Sequence, residues 1–178
     1  LCFGLFQRQG VQKIHLKLRL QAGSCATFWS HCLLSQVEQA RHSMNALVEI
    51  EEGAHLTYQE AHYHGASGGI EVTPRASIRL GPRARYRADF SLVQGQVGRL
   101  DIDYEVDVGA EAVAELTSKV YGHGNDHIRI REAVRLNGER AHGLIRSRIA
   151  ADGDSRAEVL GITEGNAAYT RGHVDCLE

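Results

Sequence analysis

The chain has 178 residues, with 20 lysines and arginines against 22 aspartates and glutamates, and a formal net charge of −2 gives no general attraction to nucleic acid or anionic lipid. No apolar run approaches the ~18 residues of a membrane span and no signal-peptide pattern opens the chain, which predicts a soluble, cytoplasmic protein with neither a nucleic-acid nor a membrane partner. Four cysteines, Cys2, Cys25, Cys32 and Cys176, contain no Cys-x-x-Cys pair, so neither a disulfide framework nor an oxidising compartment is expected.

The segments read in chain order as strands. Ile14, Leu16, Leu18 and Leu20 alternate with His15, Lys17 and Arg19. Ala84, Tyr86, Ala88, Phe90 and Leu92 alternate with arginines, Asp89 and Ser91, and Leu100, Ile102, Tyr104, Val106 and Val108 alternate with Asp101, Asp103, Glu105 and Asp107. Period two means one inward face and one charged face. The stretches 36–44 and 110–116 hold good helix formers but keep no 3.6-residue period.

A second period lies over the first. Gly23, Gly53, Gly81, Gly109, Gly138 and Gly165 recur at gaps of 30, 28, 28, 29 and 27 residues. Three places after them stand Ala26, Leu56, Ala84, Ala112, Ala141 and Ala168, read as one inward ladder. The unit ending at Gly138 departs by one residue, which predicts a one-residue insertion before that glycine, behaving like a bulge. Self-similarity at this period marks a solenoid whose units stack on copies of themselves. About 28 residues trace about 90 Å, enough for two strands and two turns, and coils stacked ~4.8 Å apart put each strand beside its equivalent in parallel. The expectation is an all-β parallel β-helix of about six coils forming a single core domain over residues 1–178. Pro74 and Pro82 are expected at turns, because proline removes a ladder donor. Terminal coils need caps that this sequence does not supply, so the chain reads as the ordered core of a longer protein.

Several residues could carry chemistry. Cys25 and Cys32 read as small, buried or half-buried hydrophobes. His62 and His64 share a strand face and could share a metal, and His123 and His127 form a second, weaker pair. The acidic face of Asp101, Asp103, Glu105 and Asp107 invites a glycosidase or lyase reading, but a solvated strand face explains it better. Arg79, Arg83, Arg85 and Arg87 read as a solvated basic face. The most specific segment is Arg171-Gly172-His173-Val174-Asp175-Cys176, where imidazole and thiolate, both suited to iron, stand close in sequence.

The Gly-His-x-x-Cys segment ending at Cys176, the 28-residue Gly-x-x-Ala coils and the stretch from Ala54 to Gly65 resemble the SufB/SufD family of iron–sulfur cluster assembly scaffolds, most closely its short SufB-like members. The resemblance runs from about Gly10 to Cys176 and implies a right-handed parallel β-helix that pairs with itself or with a SufB/SufD paralogue. It also implies binding of a SufC-type ABC ATPase and the holding of a transient iron–sulfur cluster for transfer to apo iron–sulfur proteins, a scaffold's role and not an enzyme's. A cysteine at the position of Cys176 is implicated in assembly within the family. His173 is a weaker neighbour, and His62 and His64 match a family segment without an assignable role. The family's His-Glu-Ala motif and C-terminal helical portion are not in this sequence. Two other readings remain open: a purely structural, SufD-like interaction module and, less well supported, a polysaccharide-active β-helix enzyme.

Overall fold

Side chains at i, i+2 and i+4 share one face of a strand, and that alternation governs nearly the whole chain. The computed structural model describes residues 1–177, and Glu178 lies outside it. Thirteen strands follow one another: β1 (Cys2–Gly4), β2 (Gln9–Leu20), β3 (Cys25–Leu34), β4 (Gln39–Ile50), β5 (His55–His64), β6 (Ile70–Leu80), β7 (Arg85–Gln94), β8 (Gly98–Val108), β9 (Val113–Gly122), β10 (His127–Leu136), β11 (His142–Ala151), β12 (Arg156–Gly165) and β13 (Arg171–Leu177). The described residues contain no helix, so none is long and apolar enough to cross a membrane.

The even-numbered strands form a six-stranded sheet and the odd-numbered strands a seven-stranded one, every pairing parallel. Each coil contributes one strand to each sheet, which is the expected parallel β-helix. Leu18, Val48, Ile78, Val106 and Val134 stack in one inward column of the even sheet. They pack against Leu56, Tyr86 and Ala114 of the odd sheet in a shared core. A second core joins Val72, Leu100 and Ile102 to Phe90, Leu92 and Val120.

The glycine markers hold two different places in their turns. In the turns closed by Ser24 N–H to Gln21 O and Ala54 N–H to Glu51 O, Gly23 and Gly53 stand third with φ of 69° and 64°. In the next turns Gly81, Gly109 and Gly138 stand first, and Arg83, Glu111 and Arg140 take the third place at φ 57°. The left-handed conformation costs an L-residue only about 1–2 kcal/mol, so glycine is not confined to it. The first place has another reason for glycine. A Cβ on Gly109 would stand 2.6 Å from Leu80 O, and one on Gly138 would stand 2.0 Å from Ala110 N. Gly165 ends β12 and belongs to neither place.

This shift corrects the expected alanine ladder. Ala54, Ala84, Ala112 and Ala141 close successive turns, fully buried, whereas Ala26 and Leu56 lie two residues further on, in the column of Tyr86 and Ala114. Ala168 is exposed in the last turn. The inserted residue is Asn137, in the turn, and the β8–β10 register runs unbroken from His127 to Leu136, so no bulge forms. Asn137 instead extends a side-chain ladder: its Nδ2 donates to Asp107 Oδ1 at 3.1 Å, and Asn166 Nδ2 donates to Asn137 Oδ1 at 2.8 Å. Pro82 lies in a turn, but Pro74 sits inside β6, and the pairing with β8 skips from Val72 to Arg75 around it. The ladder omits pairs where the ring has removed an N–H.

The fully buried alanine closing each turn leaves no room for a larger side chain. Ala112→Leu should cost roughly 1–3 kcal/mol by overpacking. Urea unfolding monitored by circular dichroism measures this, and a loss below about 0.5 kcal/mol would show that the turn row is not closely packed.

Candidate functional site

β13 stands at the edge of the odd sheet opposite β1, paired to β11 with Val174 on Ile145 and Cys176 on Ser147. Ser147 stands in turn beside Ser118 of β9, and both serines are buried. Cys176 therefore ends an inward column of small polar residues, with its own side chain exposed. His173 is three residues away, an odd number, and pairs with the outward Leu144, so the structure places it on the opposite face of β13. Asp175 faces outward too, where Arg148 Nη2 binds its carboxylate at 2.5 Å and, as the leading cause, holds it below the usual carboxylate range. His173 and Asp175 thus lie on the face of β13 opposite Cys176.

Facing the same column from β10 is Glu132, which is 2% exposed. Ser118 Oγ donates to its Oε1 at 2.6 Å, and Oε2 has no hydrogen-bond partner. Burial lifts this carboxyl to about 7, against the pull of the serine.

A second polar cluster fills the interior of the first two coils. His62 and His64 share the inward face of β5, as the alternation predicts, with rings 5.6 Å apart and His64 Nε2 3.4 Å from His62 Nδ1. They are joined there by residues that the sequence did not single out together. Cys32 pairs directly with His62 across β3 and β5, and His42 reaches in from β4 of the opposite sheet. Cys32 Sγ is 3.6 Å from His42 Nε2 and 3.9 Å from Glu60 Oε1. His62 Nε2 donates to Glu60 Oε1 at 2.7 Å, and His42 Nδ1 donates to Gln12 Oε1 at 2.8 Å. Both tautomers follow from oxygens that can only accept. Cys32 is thus buried as expected, but among polar groups, whereas Cys25 is exposed, because its place in β3 points outward beside His55.

Burial dominates the electrostatics of this cluster. It pushes the Cys32 thiol well up, with the Glu60 carboxylate adding to the effect. It lowers His42 to about 4 and His64 to about 3, so both imidazoles are neutral. Burial is the largest single influence on Glu60 and pushes it upward, yet the His62 hydrogen bond together with the further pull of His62, His42 and Tyr58 leaves the carboxyl below its ordinary value.

The remaining candidates have structural partners. Asp101 meets Arg75 at 3.2 Å and Arg99 at 3.4 Å, and Arg131 bridges Asp103 at 2.6 Å and Glu105 at 2.9 Å. Hydrogen bonds from Arg135 and Arg131 hold Glu105 below its usual range. The acidic face is an ion-paired ladder between coils. Arg83 pairs with Glu52 and Arg87 with Asp89, so the basic face is partly neutralised as well. The segment from His123 to His127 is a turn whose Asp126 binds backbone N–H groups, with the His123 ring packed at a tilt against Tyr121, centroids 3.9 Å apart. Among the described residues, only Cys32, His42 and His62 bring three ligand atoms within 4.8 Å of one another.

The structure is thus a parallel β-helix with a Cys–His–His group inside it whose ligand types suit a soft or borderline metal ion. No family model matches the chain, and no solved structure matches it. Two curated archaeal proteins do. One, an iron–sulfur cluster assembly SufBD family protein of Methanocaldococcus jannaschii, is 34% identical over all 178 residues of this chain, which cover 56% of that protein. Another of the same description, from Pyrococcus horikoshii, is 29% identical over 178 residues, covering 54% of it. Over its whole length the chain is similar to these SufBD family proteins, and it spans about half the length of the curated relatives it matches.

Proposed function

We propose that this chain is the β-helix of an iron–sulfur cluster assembly scaffold, SufB-like in role, that holds a nascent cluster at Cys176. The observation that carries the reading is the place of that thiol on β13, continuing the small polar Ser118–Ser147 column, in a chain similar over its whole length to iron–sulfur cluster assembly SufBD family proteins. Clusters are ligated mainly by cysteine thiolates, and a scaffold that must release its cargo is served by few ligands. His173 and Asp175 face away, so an iron held by Cys176 takes its other ligands from outside this strand. A second copy or a paralogue docked on the terminal coils would supply them, with His173 placed to contribute to that contact. A SufC-type ABC ATPase is the partner that would drive release to apo iron–sulfur proteins in the cytoplasm. The role is one of holding and transfer without catalysis of its own, consistent with an acidic face whose carboxylates are engaged by arginines.

The test is anaerobic reconstitution with ferrous iron and sulfide, read by visible absorption and by iron and sulfide content. Cys176→Ser should reduce cluster loading at least about tenfold with an unchanged circular dichroism spectrum, because a hydroxyl does not replace a thiolate toward iron. Cys2→Ser and Cys25→Ser should load normally. Undiminished loading in Cys176→Ser would remove the residue from the mechanism and leave the chain as a structural partner.

A further inference from the structure

The rung positions of Cys32, His62 and His42 are aliphatic in the following coils. Below Cys32 and His62 come Leu92 and Val120, and below His42 come Val72 and Leu100. The first two coils therefore carry a buried polar group where packing alone asks for valine or leucine. Burying such groups is unfavourable unless each is satisfied. The polar atoms around them are not all satisfied: Ser30 Oγ, Tyr58 OH, Glu60 Oε2 and His64 Nδ1 are buried without a hydrogen-bond partner of normal geometry.

The geometry points to a metal site: we propose that Cys32, His42 and His62 bind one four-coordinate divalent ion of the zinc–ferrous class, separate from any cluster at Cys176. A tetrahedral site with Zn–S of ~2.3 Å and Zn–N of ~2.0–2.1 Å has an S···N edge of about 3.6 Å, and Cys32 Sγ to His42 Nε2 is 3.6 Å. Each histidine also donates its other ring N–H to an oxygen, His42 to Gln12 and His62 to Glu60, the arrangement that orients metal-bound imidazoles. Glu60 supports the site from behind His62. Its carboxylate stays outside the coordination sphere, accepting the His62 Nε2–H so that Nδ1 faces the ion, and thiolate plus carboxylate neutralise a divalent charge inside the solenoid, with a water in the fourth position. Binding releases the thiol proton to solvent, with no change of oxidation state.

Cobalt(II) is the probe, added anaerobically to the metal-stripped full chain. We expect a thiolate-to-cobalt charge-transfer band and the visible bands of tetrahedral cobalt, saturating at one ion per chain, with a rise in Tm. Cys32→Ala should lose at least about nine-tenths of the charge-transfer band, and Glu60→Gln should weaken binding roughly 10–100-fold. A Cys2→Ser/Cys25→Ser/Cys176→Ser variant, changed only at exposed positions, keeps Cys32 as its one thiol and decides the matter should Cys32→Ala not fold. It should retain the full band. Absence of tetrahedral bands in that folded variant, or a full band in Cys32→Ala, overturns the proposal. The Cys176→Ser single variant separates the two sites: it should bind cobalt normally while failing to load a cluster.

Discussion

Acidification from pH 6.5 to 4.5 is expected to destabilise the solenoid by roughly 3 kcal/mol, and Glu132→Gln is expected to double that dependence. The folded state holds His42 and His64 neutral, at about 4 and about 3 against an ordinary 6.5. As pH falls below 6.5 the unfolded chain gains two protons that the folded chain refuses, so stability declines. Glu132 acts in the opposite sense. Its folded value is raised to about 7 from 4.5, so its contribution is complete below pH 4.5 and is lost as pH rises through 7. In the window from 4.5 to 6.5 the two histidine protons minus the one on Glu132 leave a net uptake of one on unfolding, about 1.4 kcal/mol per pH unit. Removing the titrating carboxyl leaves both histidine protons unopposed, about 2.7 kcal/mol per pH unit. Glu132 lies three coils from the histidines, about 14 Å away, far enough for the effects to add. Urea midpoints measured across this window test the argument, and a flat wild-type profile would refute it.

Asp126→Ala should cost roughly 3–5 kcal/mol, because one ionised carboxylate satisfies three backbone donors at once. Its Oδ1 accepts from Gly98 N at 2.8 Å, and its Oδ2 accepts from His123 N at 3.0 Å and Val97 N at 3.3 Å. The first and last of these donors belong to the coil before, so the side chain ties the turn at 123–126 to its neighbour. Asp126 is 1% exposed and Val97 is fully buried, so water cannot readily replace the missing oxygens. Asp126→Asn keeps the shape and one acceptor oxygen and should lose about half as much. Equal losses in the two variants would mean that charge, and not the count of acceptors, sets the cost.

The strands were legible because period two survives in any window of ten residues: β2, β7 and β8 carry it almost without exception. The coil length was legible for the same reason on a longer scale. The exact register was not, because two kinds of glycine follow one another down the same row of turns. Gly53 is there for a positive φ and Gly81 for a close backbone approach, and a gap of 28 conceals the change of place. The alanines at 54, 84, 112 and 141 were the better marker. The interior cluster was only half visible. His62 and His64 share a strand, but Cys32 and His42 reach them through pairing across coils and across the barrel. The coil period applied to polar residues would have found one link, since Cys32 and His62 are 30 apart. Nothing local announced His42. The placement of His173 on the face opposite Cys176 was legible from parity alone.

The third coil turns only apolar and tyrosine side chains inward at mid-height: Val72 and Pro74 from β6, and Tyr86, Ala88, Phe90 and Leu92 from β7. In a stacked architecture each coil answers only to the one above and the one below. Protonating His42 and His64 therefore loosens the first two coils without passing directly to the far side of that dry layer. Acid should fray the molecule from its first coils inward, and amide protons of β6 to β8 should be the last to exchange.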